Sequence, residues 1–105
     1  MPPEGREAIA RYFPRDQWES GARVSQCESG WRQDAVNDTR YLAGGQCGGR
    51  YFHERLQVWA QTEYSVGPWQ IDLCQHALSV AEAMDWDSST RYAAGLWSRR
   101  GWRAW

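Results

Sequence analysis

Apolar positions recur at helical spacing at the start of the chain. Ala8, Ile9, Tyr12 and Phe13 share one face of the stretch Glu4 to Phe13, and Pro14 closes it. Glu4 and Glu7 stand toward its start, where the helix dipole favours negative charge. A second helix is predicted from about Arg15-Asp16, with Trp18, Ala22 and Ser25 on one face and Gly30 as its stop. From Arg32 to Gly49 the pattern is lost in polar residues and glycines, which reads as loop. Arg50 to Ser65 is ambiguous: Tyr51, Leu56, Val58, Trp59 and Tyr64 fit a short hairpin, or a helical turn followed by a strand. Ser65-Val66-Gly67-Pro68 is a turn, and Trp69 to Gln75 is expected to begin a helix. Ala77 to Met84 is Ala-rich and reads as helix. Asp87-Ser88-Ser89 is expected to cap a last helix that buries Tyr92, Ala93, Leu96 and Trp97. Gly101 breaks that helix, and Trp102 and Trp105 follow. The expectation is a mainly α fold, a single domain over residues 1–105, with one short irregular β-hairpin or loop excursion in its middle.

Length and charge narrow the classes. With 105 residues there is room for one small domain. Twelve basic residues, all Arg, oppose thirteen acidic ones, for a net charge of −1. That balance argues against nucleic acid or an anionic membrane surface as a partner. No apolar run is long enough for a membrane span, and the first residues lack the basic start and apolar core of a secretory signal. Eight Trp, five Tyr and two Phe make 14% of the chain aromatic. That is more than one small core needs, so some rings are expected in a sugar-binding cleft, stacked on the C–H faces of pyranoses.

Cys27, Cys47 and Cys74 allow one disulfide and one free thiol in three pairings. Cys47 and Cys74 flank a glycine-rich stretch that a staple would help most. Zinc held by these cysteines with His53 or His76 is the alternative, but no pair has the C-x2-4-C spacing of structural zinc. His53-Glu54-Arg55-Leu56-Gln57 starts like a zinc-protease helix and fails where the second His should be, at Gln57. No metal and no cofactor is expected.

The most informative segment is Cys27-Glu28-Ser29-Gly30-Trp31. A Glu at the end of an apolar-faced helix, with Trp close by, can be desolvated enough to hold a proton near neutrality, as a general acid must. Taken alone it would read as a solvated helix-surface residue. It is joined by Ala35-Val36-Asn37 and by Ser65-Val66-Gly67-Pro68-Trp69-Gln70-Ile71. In that order and spacing the three segments resemble the lysozyme-like lytic transglycosylase family, whose soluble and goose-type branches run E-S-x-[WF], A-x-[SN] and S-x-G-x-x-Q-I. The tail Ala93-Ala94-Gly95-Leu96-Trp97 with Gly101-Trp102 and Trp105 resembles the ending of actinobacterial and phage-borne members. The resemblance covers roughly Ile9 to Trp105.

It implies a small lysozyme-like helical domain that cleaves the β-1,4 bond between N-acetylmuramic acid and N-acetylglucosamine in peptidoglycan. Glu28 matches the family's catalytic acid, which later acts as base. Asn37 matches the Ser or Asn that contacts the substrate's acetamido region. Gly67, Gln70 and Ile71, with Ser65 before them, border the cleft. Gln70 reads equally as an amide tying the turn to a helix, and Gly67 is expected because a side chain would block sugar or strain the turn. Trp31, Trp59 and Trp69 are candidate stacking platforms. The chain departs from the family in the long span between Asn37 and Gln70 and in its late helix, where Arg91-Tyr92-Ala93-Ala94 stands for Ala-Tyr-Asn.

The second catalytic group decides the reaction. Transglycosylases use one Glu as acid and then base, while the muramic 6-hydroxyl closes a 1,6-anhydro ring; hydrolases add a second carboxylate. Glu63 is the best placed second acid, with Asp34, Asp38 and Asp72 weaker. A transglycosylase is slightly favoured over a hydrolysing muramidase. Two other classes compete: a non-catalytic glycan-binding module, and a phage virion component in which the fold merely packs. Glycan strands are the expected partner, the chain is expected to be a monomer, and action is expected at the cell wall after delivery by phage, lysis or a larger parent chain.

Overall fold

A computed structural model describes every residue from Met1 to Trp105. Helix α1 (Pro3–Tyr12) opens with Pro inside its first turn, where the missing N–H is no loss, and ends as Phe13 turns extended. A 3-10 turn, Arg15–Gln17, leads into α2 (Trp18–Ser29). Gly30 ends α2 in the left-handed conformation, φ 63°, with its N–H on the carbonyl of Gln26. Strand β1 (Val36–Asp38) follows, then a 3-10 turn at Arg40–Ala43, and β2 (Arg50–His53) and β3 (Val58–Gln61) form a hairpin. Strands β4 (Tyr64–Val66) and β5 (Ile71–Asp72) join β1 in an antiparallel sheet of order β1-β4-β5. Helix α3 (Val80–Met84) begins at a capping box of Ser79 and Glu82, and α4 (Trp86–Arg100) at Asp85, whose carboxylate accepts from the N–H of Ser88.

The expectation of a mainly α domain is corrected here. The chain is 50% helical and 15% strand, a mixed α/β domain with two small sheets. Strands of two to four residues are too short to show a period of two, so the loop reading of Arg32 to Gly49 concealed β1. Trp69 to Gln75 is no helix: Gln70 takes φ 48°, and the chain turns into β5. The last helix starts earlier than expected, capped by Asp85 instead of Asp87.

The register of the three-stranded sheet arranges the rest. Val36, Val66 and Ile71 lie in one cross-strand row, and Asn37, Ser65 and Asp72 in the next. Neighbouring rows point to opposite faces, so one row is apolar and the other polar. Val66 and Ile71 are buried, Val36 is half exposed at the edge of an open hollow, and the polar row lines that hollow.

The core is aromatic. Trp69 is fully buried, its ring 5.6 Å from Phe13, and Phe13 lies 5.4 Å from Trp102 on a nearly parallel plane. Trp97, Trp102 and Trp105 pack against this cluster, and Trp86 is buried beneath Gly5 of α1. Most of the tryptophan excess therefore serves packing. Trp59, 63% exposed on the hairpin and set against Phe52, and Trp18, 37% exposed, are the exceptions. A disulfide joins Cys47 to Cys74 and ties the glycine-rich loop to the segment after β5; Cys27 is free and exposed. With Cys47 and Cys74 bonded to each other, the zinc alternative loses two of its three thiolates. No helix is long and apolar enough to cross a membrane.

Candidate active site

Glu28 occupies the last turn of α2, one residue before Ser29. The helix end is fixed from beneath. The hydroxyls of Ser25 and Ser29, one turn apart and both buried, each donate to the carbonyl of Pro68 at 2.8 Å. Ser29 is thus a clamp between the acid-bearing helix and the Gly67-Pro68 turn. Gly67 allows that turn. Its φ is +85°, and a Cβ there would sit 1.8 Å from the carbonyl oxygen of Ala83. Of the two expected reasons, strain of the turn is the one seen, joined by the close approach of α3.

The polar row of the sheet faces Glu28. Asn37 Nδ2 donates to Glu63 Oε1 at 2.8 Å, and Ser65 Oγ donates to Glu63 Oε2 at 2.7 Å. The Glu63 N–H is held by Thr39 Oγ1, and the Glu63 carbonyl accepts from the Thr39 N–H. Both carboxylate oxygens and the backbone of Glu63 are therefore engaged. Gln70 uses its amide N–H groups on the carbonyls of Ala35 and Gly67, at 2.9 and 3.0 Å. This ties the turn to the segment before β1, and the Gln70 carbonyl oxygen has no protein partner while the residue lines the cleft.

Two hollows share Glu28, Glu63, Ser65 and Gln70. One, about 360 Å³, continues past Arg32 and Asn37 on the β1 side. The other, about 270 Å³, continues past Asp72, Gln75 and His76 on the β5 side and reaches Trp105. Because β4 lies between β1 and β5, the two form one cleft running across the strands, with the two glutamates at its middle. The Glu28 side chain stays open to solvent, yet the cleft walls desolvate its carboxyl and raise its pKa, and the charge of Glu63 raises it further. A carboxyl that keeps its proton to higher pH, beside a second carboxylate held by two donors, can give that proton to a leaving oxygen and take one back.

The remaining sequence candidates lie elsewhere. Trp69 is wholly buried, its indole N–H on Thr90, so neither ring face can meet a sugar. Trp31, at φ 64°, folds back so that its N–H donates to the carbonyl of Ala22, and it does not line the cleft. Ile71 is buried at the cleft floor. Asp38 pairs with Arg40, which holds its pKa down at about 2. Asp34 is exposed and lines neither hollow.

Arg32, Gln75 and Ala104 line the cleft without a signal in the sequence, and His76 and Trp105 line it too, although the sequence offered His76 only as a zinc ligand and Trp105 only as part of the tail. His76 Nδ1 lies 2.9 Å from the Tyr92 hydroxyl, and burial, opposed by Asp72, lowers its pKa. Tyr92 lines neither hollow and meets the cleft through His76. Trp105 is held by its indole N–H on the carbonyl of Trp69. The clustering of Trp102 and Trp105 after Gly101 was the available signal, but it carries no direction. Comparison of the chain with family models, curated proteins and solved structures finds no match to any of the three.

Proposed function

We propose that the chain cleaves the β-1,4 glycosidic bond between N-acetylmuramic acid and N-acetylglucosamine in peptidoglycan, with Glu28 as general acid and then base. The observation that carries the reading is Glu28 itself: a carboxyl with a raised pKa, at the middle of a polar cleft, coupled to a second carboxylate. The resemblance of the three sequence segments to lytic transglycosylases supports the same assignment. In the proposed reaction the Glu28 proton passes to the glycosidic oxygen as the bond from the muramic anomeric carbon breaks. The Glu28 carboxylate then takes the proton of the muramic 6-hydroxyl, whose oxygen bonds to the anomeric carbon and leaves a 1,6-anhydro end. No water is consumed. Glu63 stabilises the positive charge that develops at the anomeric carbon.

Transglycosylation is favoured on the sequence resemblance; the bonds from Asn37 and Ser65 orient Glu63 and leave a lone pair free on each of its oxygens. A hydrolytic reading has one observation behind it, the position of Glu63 in the same cleft, where it could orient a water. The test is mass spectrometry of fragments released from purified peptidoglycan, beside a Glu28→Gln control. Anhydro-muramic ends absent from the control are the expected result. Reducing muramic ends would replace transglycosylation by hydrolysis. Binding without release would leave a glycan-binding module in place of an enzyme.

A further inference from the structure

A third hollow meets the cleft at Glu28. It is a groove of about 400 Å³ along α2, walled by Ser20, Arg23, Val24 and Cys27 on one side and by Trp102 and Trp105 on the other. It shares Glu28 and Trp105 with the β5 arm of the cleft. The three arms differ in chemistry. The two arms across the sheet are lined largely by Asn, Gln, Ser, Asp and Arg side chains, as hydroxyl-rich sugar rings require. The groove has two indoles and Val24, with one cation, Arg23. That cation is available: its only partner is Glu19, in an exposed pair one helical turn away, and such pairs hold their members weakly.

A linear glycan passing the acid fills two arms and leaves the third empty. A branched one fills three. We propose that this groove receives the peptide branch carried on the lactyl group of the muramic acid residue. The alkyl parts of the branch would lie against Trp102, Trp105 and Val24, and a branch carboxylate would lie on Arg23. The inference rests on the proposed substrate and adds a selection: muramic acid bearing its peptide is preferred to the bare sugar.

Cys27 supplies a readout that does not depend on turnover. It is the one free thiol, exposed, and in the groove wall. The experiment measures the iodoacetamide alkylation rate of Cys27 by intact mass, without reductant, in the Glu28→Gln protein. The probes are N-acetylmuramoyl-L-alanyl-D-isoglutamine and, separately, the N-acetylglucosamine tetramer. A ligand that covers the thiol slows alkylation by 1 + [L]/Kd, about threefold at twice its Kd. The expected result is protection by the muramoyl dipeptide, weakened by Arg23→Gln, and clearly less protection by the tetramer. Equal protection by both probes would make the groove a sugar subsite and overturn the proposal, as would protection by neither. Failure of the enzymatic reading shows separately, as no fragment release by the wild-type protein. Dipeptide protection in that case would still assign the groove to the peptide branch.

Discussion

Ser29 Oγ lies 2.8 Å from the carbonyl oxygen of Pro68, across 39 residues of sequence. This one bond connects two of the three segments that carry the functional reading. Through it the serine after Glu28 fixes the end of α2 on the Gly67-Pro68 turn. The Pro68 carbonyl is buried and has a second donor in Ser25, so the two serines share one acceptor.

That sharing gives a non-additive prediction. Ser29→Ala alone leaves Pro68 paired to Ser25 and costs about 1 kcal/mol. Ser25→Ala alone does the same. The double variant leaves a buried carbonyl with no partner and costs more than the sum of the two, by roughly 1 kcal/mol. Urea unfolding of the four proteins measures this coupling. Additive losses would mean that a solvent molecule replaces the missing hydroxyls.

Gly67 makes a harsher prediction. An Ala there would need the left-handed φ of +85° and would place its Cβ 1.8 Å from the Ala83 carbonyl oxygen, a backbone atom that cannot swing aside. Relief requires moving α3 away from the turn. The expected cost is about 3 kcal/mol or more, seen as a loss of soluble protein or a large drop in Tm. A near-neutral Gly67→Ala would disprove the close packing of α3 on the turn.

The parts of this site that could be read from the chain are those set by local order. Glu28, Asn37, Ser65 and Gln70 stand around one cleft, and their segments occur at the spacing that brought them to notice. What escaped the reading depends on packing between distant segments. Strands β1, β4 and β5 are too short for their alternation to show, and only their register sets Asn37, Ser65 and Asp72 in a row. The tryptophans show the same limit. Trp69 beside Gln70 sits at the centre of the core, whereas Trp105, far from any motif, reaches the cleft. A residue type states what a ring can do, and the side on which it is buried comes from the three-dimensional fold. From sequence Gln70 reads equally as tether or sugar contact; in the structure its N–H groups make the tether, and the residue lines the cleft.

Glu28 also has a cost for the folded chain. Its pKa is raised above the ordinary 4.5 by burial and by Glu63. Below the ordinary value the carboxyl is protonated in both folded and unfolded chains, and no stability is lost. As the pH rises through that value and then through the folded pKa, the unfolded chain ionises first and the folded state loses stability. Glu28→Gln removes this penalty, so its Tm at neutral pH should exceed that of the wild type, and the difference should vanish in acid. The gain is smaller than the roughly 4–8 °C that 1 kcal/mol corresponds to in a domain of this size, because the open side chain is partly screened by solvent. Thermal unfolding at several pH values checks it. A Tm that falls at neutral pH would mean that the Glu28 carboxylate makes a stabilising contact.

Glu63 can be tested through the same proton. Its negative charge favours the protonated form of Glu28, so removing the charge makes Glu28 release its proton at lower pH. Activity that needs Glu28 as an acid declines as the pH rises through its pKa, which sets the alkaline limb of the kcat/KM profile for the free protein. Glu63→Gln keeps the side-chain shape and can keep the Ser65 contact, since that hydroxyl can donate or accept. The alkaline limb should therefore move to lower pH in Glu63→Gln, with residual turnover, while Glu28→Gln has none at any pH. Release of soluble fragments from peptidoglycan, measured across pH for both variants, separates the roles. A limb that stays in place with turnover reduced uniformly would mean that Glu63 has no influence on the proton of Glu28 and acts through its charge at the anomeric carbon or by anchoring Asn37 and Ser65. Loss of all turnover in Glu63→Gln would instead give it a direct part in the chemistry and favour hydrolysis over transglycosylation.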